Sequence, residues 1–260
     1  MNPFSESALR LRRRSVWEAC DSGILLWRKS FVYLIPVFAI PFWIVACCLR
    51  FIPGGLYFIP YIALWWLKPF FDRLILHVVS TRFFSGPDLP DRNKLKSSFF
   101  GNIRRGLLGD LLWRRFSPYR ASYMPLRVLE HTAMKQFRQR KKTLAEGGLN
   151  FCAFISGFGL TAEAVLLLGE ILFAFISIQL FSPEVFSYIG DNQATVEVIA
   201  FITFCFNYIL VESLYVCMGF GLYINSRVEL EGWDLQLLFG KFAGEGEINH
   251  TKKHKEEIKE

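Results

Sequence analysis

Apolar residues are gathered into four long blocks along the chain, and strongly charged segments separate these blocks. The blocks cover residues 31–49, 56–80, 150–181 and 199–224. Because a membrane-spanning helix needs about 20 predominantly apolar residues, each block is long enough to cross a bilayer. The pattern predicts an all-α integral membrane protein with about four transmembrane helices, supplemented by interfacial amphipathic helices.

An amphipathic stretch with a well-marked start precedes the first block. Ser15 and Glu18 fit a capping box, and apolar residues from Trp17 to Trp27 recur at helical spacing. We predict a short interfacial helix that ends at Lys29, followed by a separate span that its two prolines kink. Packing of this helix on the protein's own cytoplasmic part remains the alternative.

The third block exceeds one bilayer crossing, since it holds 32 residues. Gly157 and Gly159 divide it, so we predict a span over 160–181 with an interfacial or partly buried lead-in over 151–158. A re-entrant pair is the alternative. The stretch 118–125 is bounded by prolines, which favour irregular chain or a re-entrant element. After the fourth block, Gly232 allows a bend or a helix end.

These blocks divide the chain into five segments. They are a cytoplasmic N-terminal amphipathic helix (1–30), a first transmembrane hairpin (31–84), a basic cytoplasmic loop (85–149), a second transmembrane hairpin (150–224), and a cytoplasmic exit motif with a disordered tail (225–260).

The distribution of basic residues predicts the orientation. Of the 30 Lys and Arg residues, 29 lie in residues 1–30, 68–148 and 225–260, which four spans place on one side. Since Lys and Arg accumulate in cytoplasmic loops, both termini are predicted to be cytoplasmic. The basic loop is expected to contact anionic lipid headgroups. Without a nucleic-acid-binding motif, its charge gives no reason to expect a nucleic-acid partner.

Motifs for enzymes, metals and cofactors are missing from the sequence. It has no GxSxG, HExxH, Walker or GxGxxG pattern, so we predict a protein that is not an enzyme and that carries no cofactor. An intramembrane enzyme, whose motifs are sparse, remains an alternative. The six cysteines form no CxxC pair and are interpreted as small buried apolar residues.

Several ionisable residues lie inside the apolar blocks. Lys68, Glu170 and Glu212 are at similar depth when residues are counted inward from the outer ends of the spans, which places all three near the midplane. Charge at bilayer depth is costly, so such residues mark a function or fix helix packing. Both hypotheses stay open for a predicted intramembrane polar cluster of Lys68, Asp72, Arg73, Glu163, Glu170, Asn207 and Glu212.

The exit from the fourth block is dense in charge and faces the basic loop across the predicted cytoplasmic surface. Either the two segments pair as a charged lid, or the exit is simply solvated. The predicted cytoplasmic charge motif consists of Arg115, Arg120, Arg127, Arg227, Glu229, Glu231, Trp233 and Asp234.

The exit also carries a resemblance. Residues 223–235 read Y-x-x-x-R-x-E-x-E-G-W-D-L, which resembles the end of a group of uncharacterised bacterial multipass membrane proteins. It is also similar to the membrane domain attached to some glycerophosphodiester phosphodiesterases. Two further pieces fit the first group: Trp17-Glu18-Ala19-x-Asp21, and Arg115-Phe116-Ser117-Pro118-x-Arg120 continuing through Pro125 and Leu129-Glu130.

The resemblance implies a location and no activity. Members of that group are often encoded near transglutaminase-like membrane proteins, which implies a cell-envelope setting in the bacterial inner membrane. The chain has no phosphodiesterase domain, so hydrolysis is not implied. We therefore predict a non-catalytic membrane component of a cell-envelope assembly, with other membrane proteins as partners. The alternative is a small transporter or permease subunit, which would show a cavity reaching Glu170 or Glu212.

Overall fold

All elements in the described part of the chain are helical, as the sequence predicts. The computed structural model describes residues 14–51, 58–85, 106–112, 117–130, 137, 140–142, 151–181 and 192–232. The elements are α1 (Val16–Leu34), a π-helical segment (Ile35–Ala39), α2 (Ile40–Arg50), α3 (Ile59–Ser85), α4 (Leu107–Leu112), α5 (Arg120–Val128), α6 (Cys152–Phe181) and α7 (Gln193–Glu231).

The first long helix runs without interruption from Val16 to Arg50, 35 residues in all. Its predicted capping box is confirmed, because Ser15 Oγ accepts from the Glu18 amide at 3.3 Å and a Glu18 carboxylate oxygen accepts from the Ser15 amide at 3.3 Å. The prediction of a separate helix that ends at Lys29 is wrong. Leu26, Ser30 and Leu34 continue one buried face past this lysine, so packing carries the helix onward.

A single helix also replaces the predicted division of the third block. α6 spans 30 residues, which answers the open choice in favour of one continuous helix rather than a lead-in or a re-entrant pair. A glycine inside a helix costs only about 1 kcal/mol. At this point the Ser156 hydroxyl donates to the Cys152 carbonyl at 2.9 Å and the Thr161 hydroxyl to the Phe158 carbonyl at 2.9 Å.

The last helix is longer than its apolar block. α7 spans 39 residues and ends where the sequence predicts, at Gly232. This glycine has φ 60° and ψ 39°, a left-handed conformation that favours glycine after a helix.

Within the described ranges, three helices rather than the predicted four are both long and apolar enough to cross a membrane: Val16–Arg50, Cys152–Leu180 and Ala194–Leu230. The exception is α3, which continues past the apolar block to Ser85 and carries Lys68, Asp72 and Arg73. Every residue from 71 to 80 is buried. The charged half of α3 is therefore enclosed by protein.

The long helices run alternately in opposite directions between two ends of the bundle. At the Arg50 end, Arg50 lies 3.7 Å from Glu197 and the Tyr61 ring contacts Phe201 at 5.4 Å. At the Ser15 end, the Asn225 amide group bonds both the N–H and the carbonyl of Arg14, each at 3.0 Å.

α7 is the central helix, since it contacts α1, α3, α5 and α6. Its approach to α1 is close because glycines face each other. A Cβ built on Gly221 would lie 2.5 Å from the Ala19 carbonyl oxygen, and one on Gly23 would lie 2.6 Å from the Cys217 carbonyl oxygen. Larger residues at either position would force α1 and α7 apart.

Part of the predicted hydrophilic loop enters the helical core. The stretch 118–125, predicted as irregular or re-entrant, contains the start of the helix α5, and residues 120–126 are all buried. Ala121 of α5 packs directly against Gly219 of α7. The irregular-chain prediction is wrong, because packing against α7 stabilises a helix that contains Pro125.

Candidate functional site

Four ionisable side chains from three helices form a buried group, which we call the central cluster: Lys68, Asp72, Arg120 and Glu212. Lys68 is ion-paired with Glu212. One Arg120 guanidinium nitrogen donates to Glu212 at 3.1 Å and lies 2.9 Å from an Asp72 oxygen. Glu212 is 2% exposed and Asp72 is 1% exposed. Both signs of charge are therefore held together out of water.

Local sequence explains how these residues meet. Lys68 and Asp72 are four apart on α3 and so share a helix face. Arg120 is the first residue of α5. The next residue, Ala121, donates its amide to the Tyr215 hydroxyl at 3.4 Å, and its contact with Gly219 brings α5 against α7. Glu212 lies about two turns before Gly219 on α7.

Arg120 remains charged in this setting. Burial opposes the charge, but the neighbouring carboxylates of Asp72 and Glu212 outweigh it and raise the guanidinium pKa above its ordinary value. A permanent cation between two buried carboxylates is a strong packing determinant, because removing either partner would leave buried charge uncompensated.

Two more ionic clusters connect the helices elsewhere. Asp110 of α4 accepts from Arg73 at 2.5 Å and also pairs with Arg127. Glu130, just after α5, accepts from Arg227 at 2.5 Å and from the Tyr223 hydroxyl at 2.7 Å. We call these the Asp110 cluster and the Glu130 cluster. Together they fasten α4 and α5 to α3 and α7.

The predicted intramembrane cluster is only partly assembled. Lys68, Asp72 and Glu212 are together, whereas Arg73 turns to Asp110. Glu170 accepts a hydrogen bond at 2.8 Å from Asn207, which lies five residues before Glu212. The number of residues from the outer ends of the spans predicted the same depth for Glu170 and Glu212. Because α6 and α7 are staggered along their length, Glu170 lies beside Asn207 instead.

The remaining predicted member, Glu163, lies on α6 and lines a cavity with Lys68 and Glu212.

The predicted cytoplasmic charge motif is divided among the three clusters. Arg120 pairs with Asp72 and Glu212. Arg127 pairs with Asp110, and Arg227 pairs with Glu130. Glu229 is exposed. Glu231 ends α7, and Arg115, Trp233 and Asp234 lie outside the described residues.

One residue at these sites was missed in the sequence and another was noticed only through the resemblance. Asp110 is central to its cluster but was not singled out, whereas Glu130 was named only among the residues that carry the resemblance, without a partner. For Asp110 a signal exists, since it is the one charged residue in the run Leu107–Leu112. When a helix is apolar enough to be buried, an acidic residue on it needs a cationic partner.

A cavity of about 410 Å³ reaches the central cluster between α3, α5, α6 and α7. Its charged lining consists of Lys68, Arg120, Glu163 and Glu212. Its volume is in the range typical of small-molecule sites, about 300–1,000 Å³. No group of His, Cys, Asp and Glu residues in the described ranges could hold a metal ion.

Comparisons with protein-family models, with curated proteins and with solved structures found no match for this chain.

Proposed function

We propose that the chain is a non-catalytic integral membrane protein of the bacterial inner membrane and a component of a cell-envelope assembly. The observation that carries this proposal is the surface of α6. No residue in its most apolar 18-residue window is buried, and Val165, Leu172 and Phe173 are all exposed. A helix with so large an exposed apolar surface needs an apolar surrounding, and a bilayer supplies one.

The number of membrane crossings is four if α3 is counted together with the three apolar helices. It runs between the same two ends as the apolar helices, and its charged half is enclosed by α1, α5 and α7. Charges that face the inside of a bundle are the ones that membranes tolerate. An even number of crossings also agrees with the distribution of basic residues, so both termini would be cytoplasmic and the basic residues would meet anionic headgroups.

The ionic clusters are proposed to fix helix packing. In the central cluster each charge has a partner of opposite sign, and the Asp110 and Glu130 clusters join the short helices to the long ones. Such pairs set the arrangement of helices in an apolar surrounding. The chain would then act by presenting a fixed surface to other membrane proteins, in line with the envelope setting that its exit motif implies.

Affinity purification tests this role. The tagged full chain, crosslinked in native membranes and extracted in mild detergent, is expected to bring down a discrete membrane protein. The variant Glu212→Gln is expected to bring down the same protein, because an amide can still accept from Arg120. An unrelated tagged multipass protein serves as the control. Recovery of the chain alone would contradict the assembly role.

One observation favours the second candidate, a small transporter or permease subunit. The cavity reaches Glu212 and Glu163, as a site for a transported solute would require. In liposomes such a protein would move solute, and Glu212→Gln would abolish the movement while leaving the fold intact.

A further inference from the structure

An apolar groove adjoins the cavity beside the central cluster. The groove encloses about 280 Å³ and is walled by the side chains of Tyr61, Ile62, Phe204 and Tyr208. Trp65, Lys68, Leu160 and Glu163 line both spaces. The two spaces therefore form one site with a polar part and an apolar part, and charged side chains lie where the parts meet.

Three polar groups at this junction have unused hydrogen-bonding capacity within the described part of the chain. The Lys68 ammonium has three donors, and its described ion pair is with Glu212. Glu163 makes no hydrogen bond or ion pair there. Tyr208 is 2% exposed, and its hydroxyl has no hydrogen-bond partner there. A buried hydroxyl such as that of Tyr208 normally has a hydrogen-bond partner, and Lys68 and Glu163 beside it are partly exposed to the two spaces. The junction can therefore serve an occupant that offers both acceptors and donors.

The charges select the kind of head group. Arg120 is held by two carboxylates, Asp72 and Glu212. Lys68 has one described carboxylate partner, Glu212, and Glu163 has no described partner, so these two groups have capacity for an occupant. A purely anionic head would suit Lys68 and meet repulsion from Glu163, and a purely cationic head would do the reverse. A zwitterionic head satisfies both. The apolar groove adds a requirement for a hydrocarbon chain, which a free zwitterion such as an amino acid lacks.

We propose that this site binds one aminophospholipid whose head carries a phosphate and a primary ammonium. The phosphate lies at Lys68, the ammonium donates to Glu163, and an acyl chain occupies the groove. A primary ammonium is required because a trimethylated one has no N–H to donate to the carboxylate. The inference rests on the proposed bilayer location of the helices.

Lipid retention tests the site. The full chain is reconstituted in nanodiscs with equal amounts of phosphatidylethanolamine, phosphatidylcholine and phosphatidylglycerol, then released and analysed by native mass spectrometry. Phosphatidylethanolamine is expected to be retained about tenfold over either other lipid, as one charge-assisted hydrogen bond predicts. Equal retention of the three lipids by the natural chain would overturn the proposal, whatever any variant does.

Two carboxylates on the same helix provide a variant and its matched control. Glu163→Gln is expected to reduce the preference to about twofold or less, since the charge-assisted bond is lost. Glu170 lies seven residues away and lines neither the cavity nor the groove, so Glu170→Gln is expected to keep the tenfold preference. Equal losses in the two variants would overturn the role of Glu163.

Two further outcomes show which part of the proposal fails. Glycerophosphoethanolamine, the same head without acyl chains, is expected not to displace the lipid at millimolar concentration. Displacement would show that the site takes a soluble zwitterion and overturn the lipid proposal. A chain that enters no nanodisc contradicts the proposed membrane location, whereas a chain that enters and shows no lipid preference contradicts the lipid site alone.

Discussion

Replacing Glu212 by leucine is expected to lower the free energy of unfolding by about 3–5 kcal/mol. The change removes the described ion-pair partner of Lys68 and one of the two carboxylates that neutralise Arg120. Both cations would then remain in a buried site without full compensation. The measurement is the thermal or denaturant-induced unfolding of the detergent-solubilised protein, followed by tryptophan fluorescence.

Two comparisons make this result specific to buried charge. Glu197, on the same helix as Glu212, forms an ion pair with Arg50, and the two side chains are 22% and 32% exposed. Glu197→Leu is therefore expected to lower the free energy of unfolding by about 0–1 kcal/mol. Glu212→Gln should fall between the two, because its amide oxygen still accepts from Arg120. If Glu212→Leu costs no more than Glu197→Leu, the central cluster does not stabilise the bundle.

Replacing Gly221 by alanine is expected to destabilise the protein by about 1–3 kcal/mol. The new Cβ would approach the Ala19 carbonyl oxygen to 2.5 Å and the Gly23 amide nitrogen to 3.0 Å. Both are backbone atoms that cannot rotate away, so α1 and α7 must separate. The same unfolding measurement should show a lower midpoint.

Gly169→Ala is the matched control for this change. Nothing lies within 4 Å of a Cβ at Gly169, so alanine should gain up to about 1 kcal/mol of helix propensity without a clash. The two glycine variants are therefore expected to shift the midpoint in opposite directions. A fall of equal size in both would show that the close approach of α1 and α7 does not determine stability.

The features that could be predicted from the sequence are local ones. The apolar blocks mark the long helices, and Ser15 with Glu18 specifies the start of α1 through bonds between residues three apart. Gly232 marks the end of α7 because the left-handed conformation there favours glycine. Each of these depends on residues within one or two turns of each other.

The features that were missed depend on contacts between distant segments. Helix continuity past Lys29 is decided by which face packs, which a local pattern does not reveal. At Gly157 the helix continues because one glycine costs too little to end it. The helix at Arg120 forms because Gly219 leaves room for Ala121. The partner of Arg73 could not be predicted either, since Asp110 comes 37 positions later in the chain and the stagger of α3 against α4 sets the pairing.

Site-directed labelling tests the central claim, a four-helix membrane crossing with α3 as its charged member. Exposed positions for labelling lie at both ends of the helical bundle. The background carries Cys47→Ser and Cys48→Ser, because these two natural thiols are exposed. The other cysteines are buried and are kept: Cys20, Cys152, Cys205 and Cys217. Single cysteines replace Phe51 and Asn192 at the Arg50 end, or Lys142 and Glu229 in segments proposed to be cytoplasmic.

A membrane-impermeant maleimide is then added to spheroplasts. The account predicts that Phe51→Cys and Asn192→Cys react at once, and that Lys142→Cys and Glu229→Cys react only after the membrane is permeabilised. Reaction of Phe51→Cys and Lys142→Cys from the same side would show that α3 does not cross, and would contradict the account.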